Sequence, residues 1–146
     1  GVTDETNKNS TGNSHVFYAF RSVPGVCKIG SYIGNGGNGG TDGPYISTGF
    51  KPRWVLYRVI DSGTNAYSWT VVDTARSPIN GPNSMVLHPN LDSADSSGSG
   101  NVIDVLSDGF KRRDSHNSVN QDGKKYIYMA MADIGGNGTL PPIYGR

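Results

Sequence analysis

The first residues that could do chemistry are glycines. Gly34-Asn35-Gly36-Gly37-Asn38-Gly39 fits G-x-G-x-x-G, the pattern whose backbone amides cradle a dinucleotide pyrophosphate. That chemistry requires a strand before the run and a helix opening after it, because the helix N-terminus holds the phosphate. A strand-like GSYI precedes the glycines, but GTDGPYISTGF follows, and its glycines, proline and β-branched residues cannot start a helix. The run therefore reads as an elongated loop between two strands, with Gly and Asn supplying the positive-φ positions. No Gly-Lys-Ser/Thr phosphate loop and no G-x-S-x-G nucleophile elbow occurs. The single cysteine, Cys27, cannot build a disulfide framework and reads as a small buried hydrophobe in a strand. His15, His88 and His116 show no metal-ligand spacing. Glu5 is the only glutamate, so a carboxylate pair would have to come from aspartates, most of which sit in turn contexts. Asp92, Asp95 and Asp104 flank a Ser/Gly stretch and could offer oxygens to calcium, but they lack the spacing of a dedicated loop. No cofactor, metal or catalytic constellation is expected.

Bulk properties narrow the classes further. Charged residues are 17% of the 146 and the formal net charge is +1, so nothing draws the chain to nucleic acid or an anionic membrane. The one basic cluster, Lys111-Arg112-Arg113, reads as a solvated strand end. No apolar run approaches the roughly 18 residues of a membrane span. The chain opens with Gly and has no secretion signal, which reads as a processed product, an excised piece or the ordered part of something longer. Asn9-Ser10-Thr11 and Asn137-Gly138-Thr139 fit the glycosylation sequon, as chance allows in an Asn- and Thr-rich chain.

The elements that would position any site are strands. Residues 1–14 are a polar arm or linker, 15–134 a β domain, and 135–146 an extended tail containing Pro141-Pro142. HVFYAFR (15–21) and VCKIGSYI (26–33) predict a hairpin around Pro24-Gly25. GPYISTGF (43–50) predicts a short strand, and Lys51-Pro52 a break before the strongest strand, RWVLYRVID (53–61). There Trp54, Leu56 and Arg58 alternate with Val55, Tyr57 and Val59, and apolar residues on both faces predict a central position. AYSWTVVD (66–73), a pair around Asp108-Gly109, and KKYIYMAMAD (124–133) complete the set, with residues 74–100 an irregular crossover. Seven to nine short strands without a sustained helical period predict an all-β fold, an antiparallel two-sheet β-sandwich or jelly roll with long glycine-rich loops.

Several of these strings together resemble a domain of bacteriophage structural proteins, typical of tail-fibre-like and other virion-surface proteins of marine phages. The resemblance runs over roughly residues 16–133. It is carried by the G-x-Y-x-G-N-G opening at residues 30–36, Asp42-Gly43-Pro44, the TGFKPRWVL strand at 48–56, WTVVDTARSPIN at 69–80, LSDGFKRR at 106–113 and YIYMAMAD at 126–133. The loop after Gly36, the charges at Arg53 and Arg58 and the ending IGGNGTLPPIYGR depart from that pattern. The resemblance implies a non-enzymatic virion structural role, as a tail-fibre, head-fibre or capsid-decoration module. It also implies a homo-oligomer, often a trimer, on the surface of the extracellular particle beside other virion proteins, with a share in host attachment. The polar arm and the Pro-Pro tail would make subunit contacts. The alternative is a lectin-like module for host-surface glycans, in which aromatics stack on sugars and loop asparagines bond hydroxyls. Its candidate ligand-binding residues are Tyr32, Asn35, Asn38 and Tyr45 around the glycine loop. The competing reading makes both tyrosines core or hairpin partners.

Overall fold

Side-chain alternation builds the two longest strands. In β9 (Lys125–Ala132), Tyr126, Tyr128, Ala130 and Ala132 are buried, while Ile127, Met129 and Met131 lie on the opposite face. In β3 (Pro52–Val59), whose two faces alternate as the sequence predicts, Val55, Tyr57 and Val59 face the same core and Trp54, Leu56 and Arg58 point away. The two pair antiparallel from Trp54 opposite Met131 to Val59 opposite Tyr126. Pro52 does not break this ladder. It opens β3 opposite Ala132 at a bulge, a position where a residue without N–H costs no ladder bond.

The structure, a computed structural model, describes residues 14, 16, 18–37, 43–61, 63, 67–77, 80, 84–98 and 103–133. Among them every strand pairing is antiparallel and there is no helix. β1 (Cys27–Ile33) and β4 (Thr70–Asp73) flank the central pair, giving a four-stranded sheet in the order β1-β9-β3-β4. β2 (Tyr45–Ser47), β7 (Ile103–Leu106) and β8 (Gly109–Arg112) form a second sheet, ordered β2-β8-β7. The irregular stretch carries a small hairpin, β5 (Ser84–Val86) with β6 (Ser96–Gly98), tied to β4 by a bridge between Val71 and Leu87.

Aromatic packing joins the sheets. Tyr32 of β1 stacks on Tyr126 of β9 at 4.8 Å, and Phe110 of β8 meets Tyr32 and Tyr128 edge-on at 6.4 and 5.4 Å. Gly30, opposite Tyr128, makes room for that ring: a Cβ there would lie 2.8 Å from the phenol oxygen. Side chains also close sheet edges. Ser22 Oγ accepts the Ile29 amide (3.0 Å) beside β1, and Asn80 brackets Val105 of β7, accepting its amide at 2.8 Å and donating to its carbonyl at 3.0 Å.

Three expectations are corrected. Residues 18–21 form no strand, so the first hairpin reduces to a single bridge between Val23 and Cys27 around Pro24-Gly25, with Gly25 at φ 73°. The aromatic residues there are exposed instead, because Ser22 rather than a strand takes up the β1 edge. The strand at 66–73 is confined, among described residues, to β4. Most consequential, Arg112 is not a solvated end: it is 0% exposed. β8 alternates like any strand, so Phe110 and Arg112 point to the same core while Lys111 and Arg113 do not.

Candidate functional site

Two of the residues expected to bind a ligand are committed to the protein itself. Tyr32 is 8% exposed, and its hydroxyl donates to the Val119 carbonyl at 2.7 Å. Burial pushes its phenol far above the ordinary range, and no face of the ring is open for stacking on a sugar. Asn35 forms a reciprocal pair with the buried Asn120: its amide donates to Asn120 Oδ1 (2.9 Å), and Asn120 Nδ2 donates to Asn35 Oδ1 (3.1 Å). Gly34 and Gly36 are drawn to the same turn, donating to Lys124 O (2.8 Å) and Asn120 O (3.0 Å). A Cβ on Gly34 would lie 2.2 Å from the Gln121 carbonyl, and Gly36 has φ 62°, so the first half of the glycine run is docked backbone. Asn38 lies outside the described residues. Tyr45 is 47% exposed on β2, with its phenol raised by a hydrogen bond to Asp108. The expected cluster is therefore not assembled: Tyr32 is in the core between the sheets, and Tyr45 is exposed on the second sheet.

The aspartates and histidines are engaged separately. Asp95 pairs with Arg76 and Asp104 with Arg113, while Asp92 is exposed, so the calcium candidates do not converge. His88 Nδ1 lies 3.0 Å from the Trp69 carbonyl, and His116 Nδ1 lies 2.8 Å from Ser118 Oγ. Among the described residues no three His, Cys, Asp or Glu side chains gather as a metal site. Asn9 and Asn137, in the two sequons, lie outside the described residues.

The surface that stands out is the outer face of the four-stranded sheet. Register aligns Ile29, Met129, Leu56 and Val71 in one apolar row across four strands; Val71 is 5% exposed beside its bridge to Leu87, so the open part of the row is Ile29, Met129 and Leu56. The neighbouring row holds Cys27, Met131, Trp54 and Asp73. Ile29, Leu56, Ile127 and Met129 floor an open groove of about 440 Å³, within the size range of ligand pockets. Tyr18 and Phe20 bound it from the β1 side, and Trp69 from the β4 side. Tyr18 and Phe20 remain 77% and 64% exposed. The Arg58 guanidinium lies 5.8 Å from the centre of the Trp69 ring.

A family model described as a domain of unknown function, DUF7483, matches residues 1–134. The chain belongs to that family. No curated protein and no solved structure matches it. All nine strands among the described residues fall inside the DUF7483 match, so the groove is built wholly from the family domain.

The sequence held a signal for this face. Leu56 and Trp54 on β3 and Ile127, Met129 and Met131 on β9 are apolar at positions alternate to the core. The two-faced pattern predicts a central strand, and β3 is interior in its sheet. It also marks a second apolar face, and that consequence was missed. Tyr18 and Phe20 fall in a strand-like run in the sequence, and nothing in that pattern marks them as the border of a groove.

Proposed function

We propose that this chain is a non-enzymatic structural module of a phage virion, of the tail-fibre, head-fibre or capsid-decoration type. In this reading it assembles with copies of itself on the particle surface through the outer face of the four-stranded sheet. Its fold is proposed as a two-sheet β-sandwich, supported by the packing of Phe110 and Ile46 from one sheet among Tyr32, Tyr57 and Tyr126 from the other.

One observation carries the assembly reading: an open apolar row over β1, β9 and β3 with a groove on it, bordered by exposed aromatics. Contiguous apolar surface on a folded domain marks an interaction site, whereas scattered apolar residues do not. At about 150–250 Å² per aromatic side chain, Tyr18 and Phe20 alone expose roughly 200–350 Å². That is about a third of the roughly 800 Å² each partner contributes to a standard interface. The sequence resemblance to virion-surface domains supplies the setting, and the family match leaves that setting open.

The test is solution mass by light scattering. The full chain is expected to sediment and scatter as a multiple of its 15.5 kDa. Met129→Glu, which puts a charge on the groove floor, is expected to shift it to the single-chain mass with unchanged far-UV circular dichroism. A single-chain mass for the unsubstituted protein at high concentration would refute the assembly reading.

A further inference from the structure

The groove needs an occupant, and the chain carries a matching one. β9 ends at Ala132, and Asp133 is pinned beside it: its amide donates to Lys51 O at 3.0 Å, and its carboxylate lies 3.5 Å from Arg53. Beyond this point the sequence reads IGGNGTLPPIYGR. Its first half is glycine-rich, and its second half concentrates Leu140, Pro141, Pro142, Ile143 and Tyr144. The N-terminal segment outside the described residues, 1–13, has Val2 as its only large apolar residue and does not match an apolar groove.

The chemistry fits at several points. Consecutive prolines fix φ and favour the extended polyproline form, which loses little entropy on docking. Grooves walled by aromatic side chains are the surfaces that receive such segments. Tyr18 and Phe20 on one side and Trp69 on the other supply those walls, over a floor of Ile29, Leu56 and Met129. With three residues per turn, Leu140 and Ile143 fall on one side of the segment, about 9 Å apart, and can both face the floor.

Direction favours a second copy as the receiver. β9 runs from Lys125 to Ala132, so Asp133, the last described residue, lies past the groove around Ile127 and Met129 in the direction of the chain. Its own groove lies four to six residues back along β9, so reaching it would take a reversal within 134–139. A neighbouring copy placed beyond the end of β9 receives the tail without one. Six residues of connector, 134–139, span up to about 20 Å, enough to cross to a neighbour in contact.

We propose that residues 140–144 of one copy occupy the outer-face groove of a second copy, linking subunits by exchanged tails. This rests on the assembly reading above and names its partner and mode.

The test uses the full chain in a Cys27→Ser background. One tagged variant carries Met129→Cys in the groove, and one untagged variant carries Ile143→Cys in the tail; they are mixed and mildly oxidised. A reducible heterodimer between the two is the expected product. Leu140→Asp with Ile143→Asp is expected to raise the concentration for half-assembly more than about tenfold, without altering the sheet spectrum. Dominant groove-to-groove dimers of the Met129→Cys variant would overturn the tail assignment and leave face-mediated assembly standing. So would a multimeric mass with no groove-to-tail product. A double variant, Met129→Cys with Ile143→Cys, that cross-links only within single chains would also overturn it. A single-chain mass for the unsubstituted protein would defeat both this inference and the assembly reading.

Discussion

Asp114→Asn should destabilise the fold far more than loss of a surface charge. Arg112 is fully buried, its Nη2 donates to Asp114 Oδ2 at 3.1 Å, and the Asp114 side chain is only 10% exposed. Its guanidinium also lies 4.7 Å from the centre of the Tyr57 ring, while Nε and Nη1 have no hydrogen-bond partner among the described residues. The carboxylate is therefore the main neutralising group. Unit charges about 4 Å apart at an effective dielectric of about 20 attract by about 4 kcal/mol. Breaking a buried pair by removing one partner costs about 3–5 kcal/mol, because the other charge stays buried. Asparagine keeps one oxygen that can accept the His116 amide, as Asp114 Oδ1 does now at 3.1 Å, but it turns an NH2 donor toward Arg112 Nη2, so the counter-charge and its hydrogen bond are lost together. The expected loss is about 3–5 kcal/mol in urea unfolding followed by tryptophan fluorescence, or roughly 10–20 °C in Tm for a domain of this size. Arg112→Met combined with Asp114→Asn should be less damaging than Asp114→Asn alone, since no unpaired charge then remains. A loss under about 1 kcal/mol for Asp114→Asn, the scale of an exposed pair, would refute the reasoning.

Three further outcomes follow from the core and its turns. Burial raises the phenols of Tyr32, Tyr57, Tyr126 and Tyr128 above their ordinary value of about 10. Their contribution is fully present below about pH 10 and lost as pH rises toward the folded values, so absorbance at the phenolate band should show these four ionising only as the fold unfolds. Burial alone would raise the Asp73 carboxyl, but the amide and guanidinium of Arg76 and the amide of Ala75 hold it below the ordinary range. Its contribution is present above about pH 4 and lost as pH falls, so Asp73→Asn should flatten the acid limb of a stability-against-pH curve. Gly109→Ala would bring a Cβ to 2.2 Å from the Ile46 carbonyl, inside the β2-β8 pairing. It should cost about 1–3 kcal/mol or more in denaturant unfolding.

Much of the fold was legible because its longest strands obey a strict period of two. β3 and β9 each divide into two faces in the sequence, since Val55, Tyr57, Tyr126 and Tyr128 alternate with a second set of side chains, but apolar residues on both faces leave open which one turns inward. The misreadings arise where one residue satisfies a backbone group that a strand would otherwise satisfy. Ser22 bonds Ile29 and displaces the expected hairpin partner, so the aromatic run at 18–20 stays out of the sheet. Arg112 was misread because a basic triplet looks solvated in one dimension, and its buried counter-charge is two residues on, in Asp114. The site was less legible than the fold. Tyr32 and Tyr45 are close to the glycine loop in sequence, but the core claims one and leaves the other exposed. The groove draws on the segment before β1, on β1, β3 and β9, and on Trp69, and only strand register brings those residues together.

The most direct test of the outer face as the assembly surface is hydroxyl-radical footprinting of the full chain over a dilution series. Tyr18, Phe20, Met129 and Trp69 should be protected at high concentration and become labelled on dilution, while Tyr45 and Leu91, exposed elsewhere, label equally throughout. Labelling of the groove residues that does not change with concentration, or protection confined to Tyr45 and Leu91, would contradict the account.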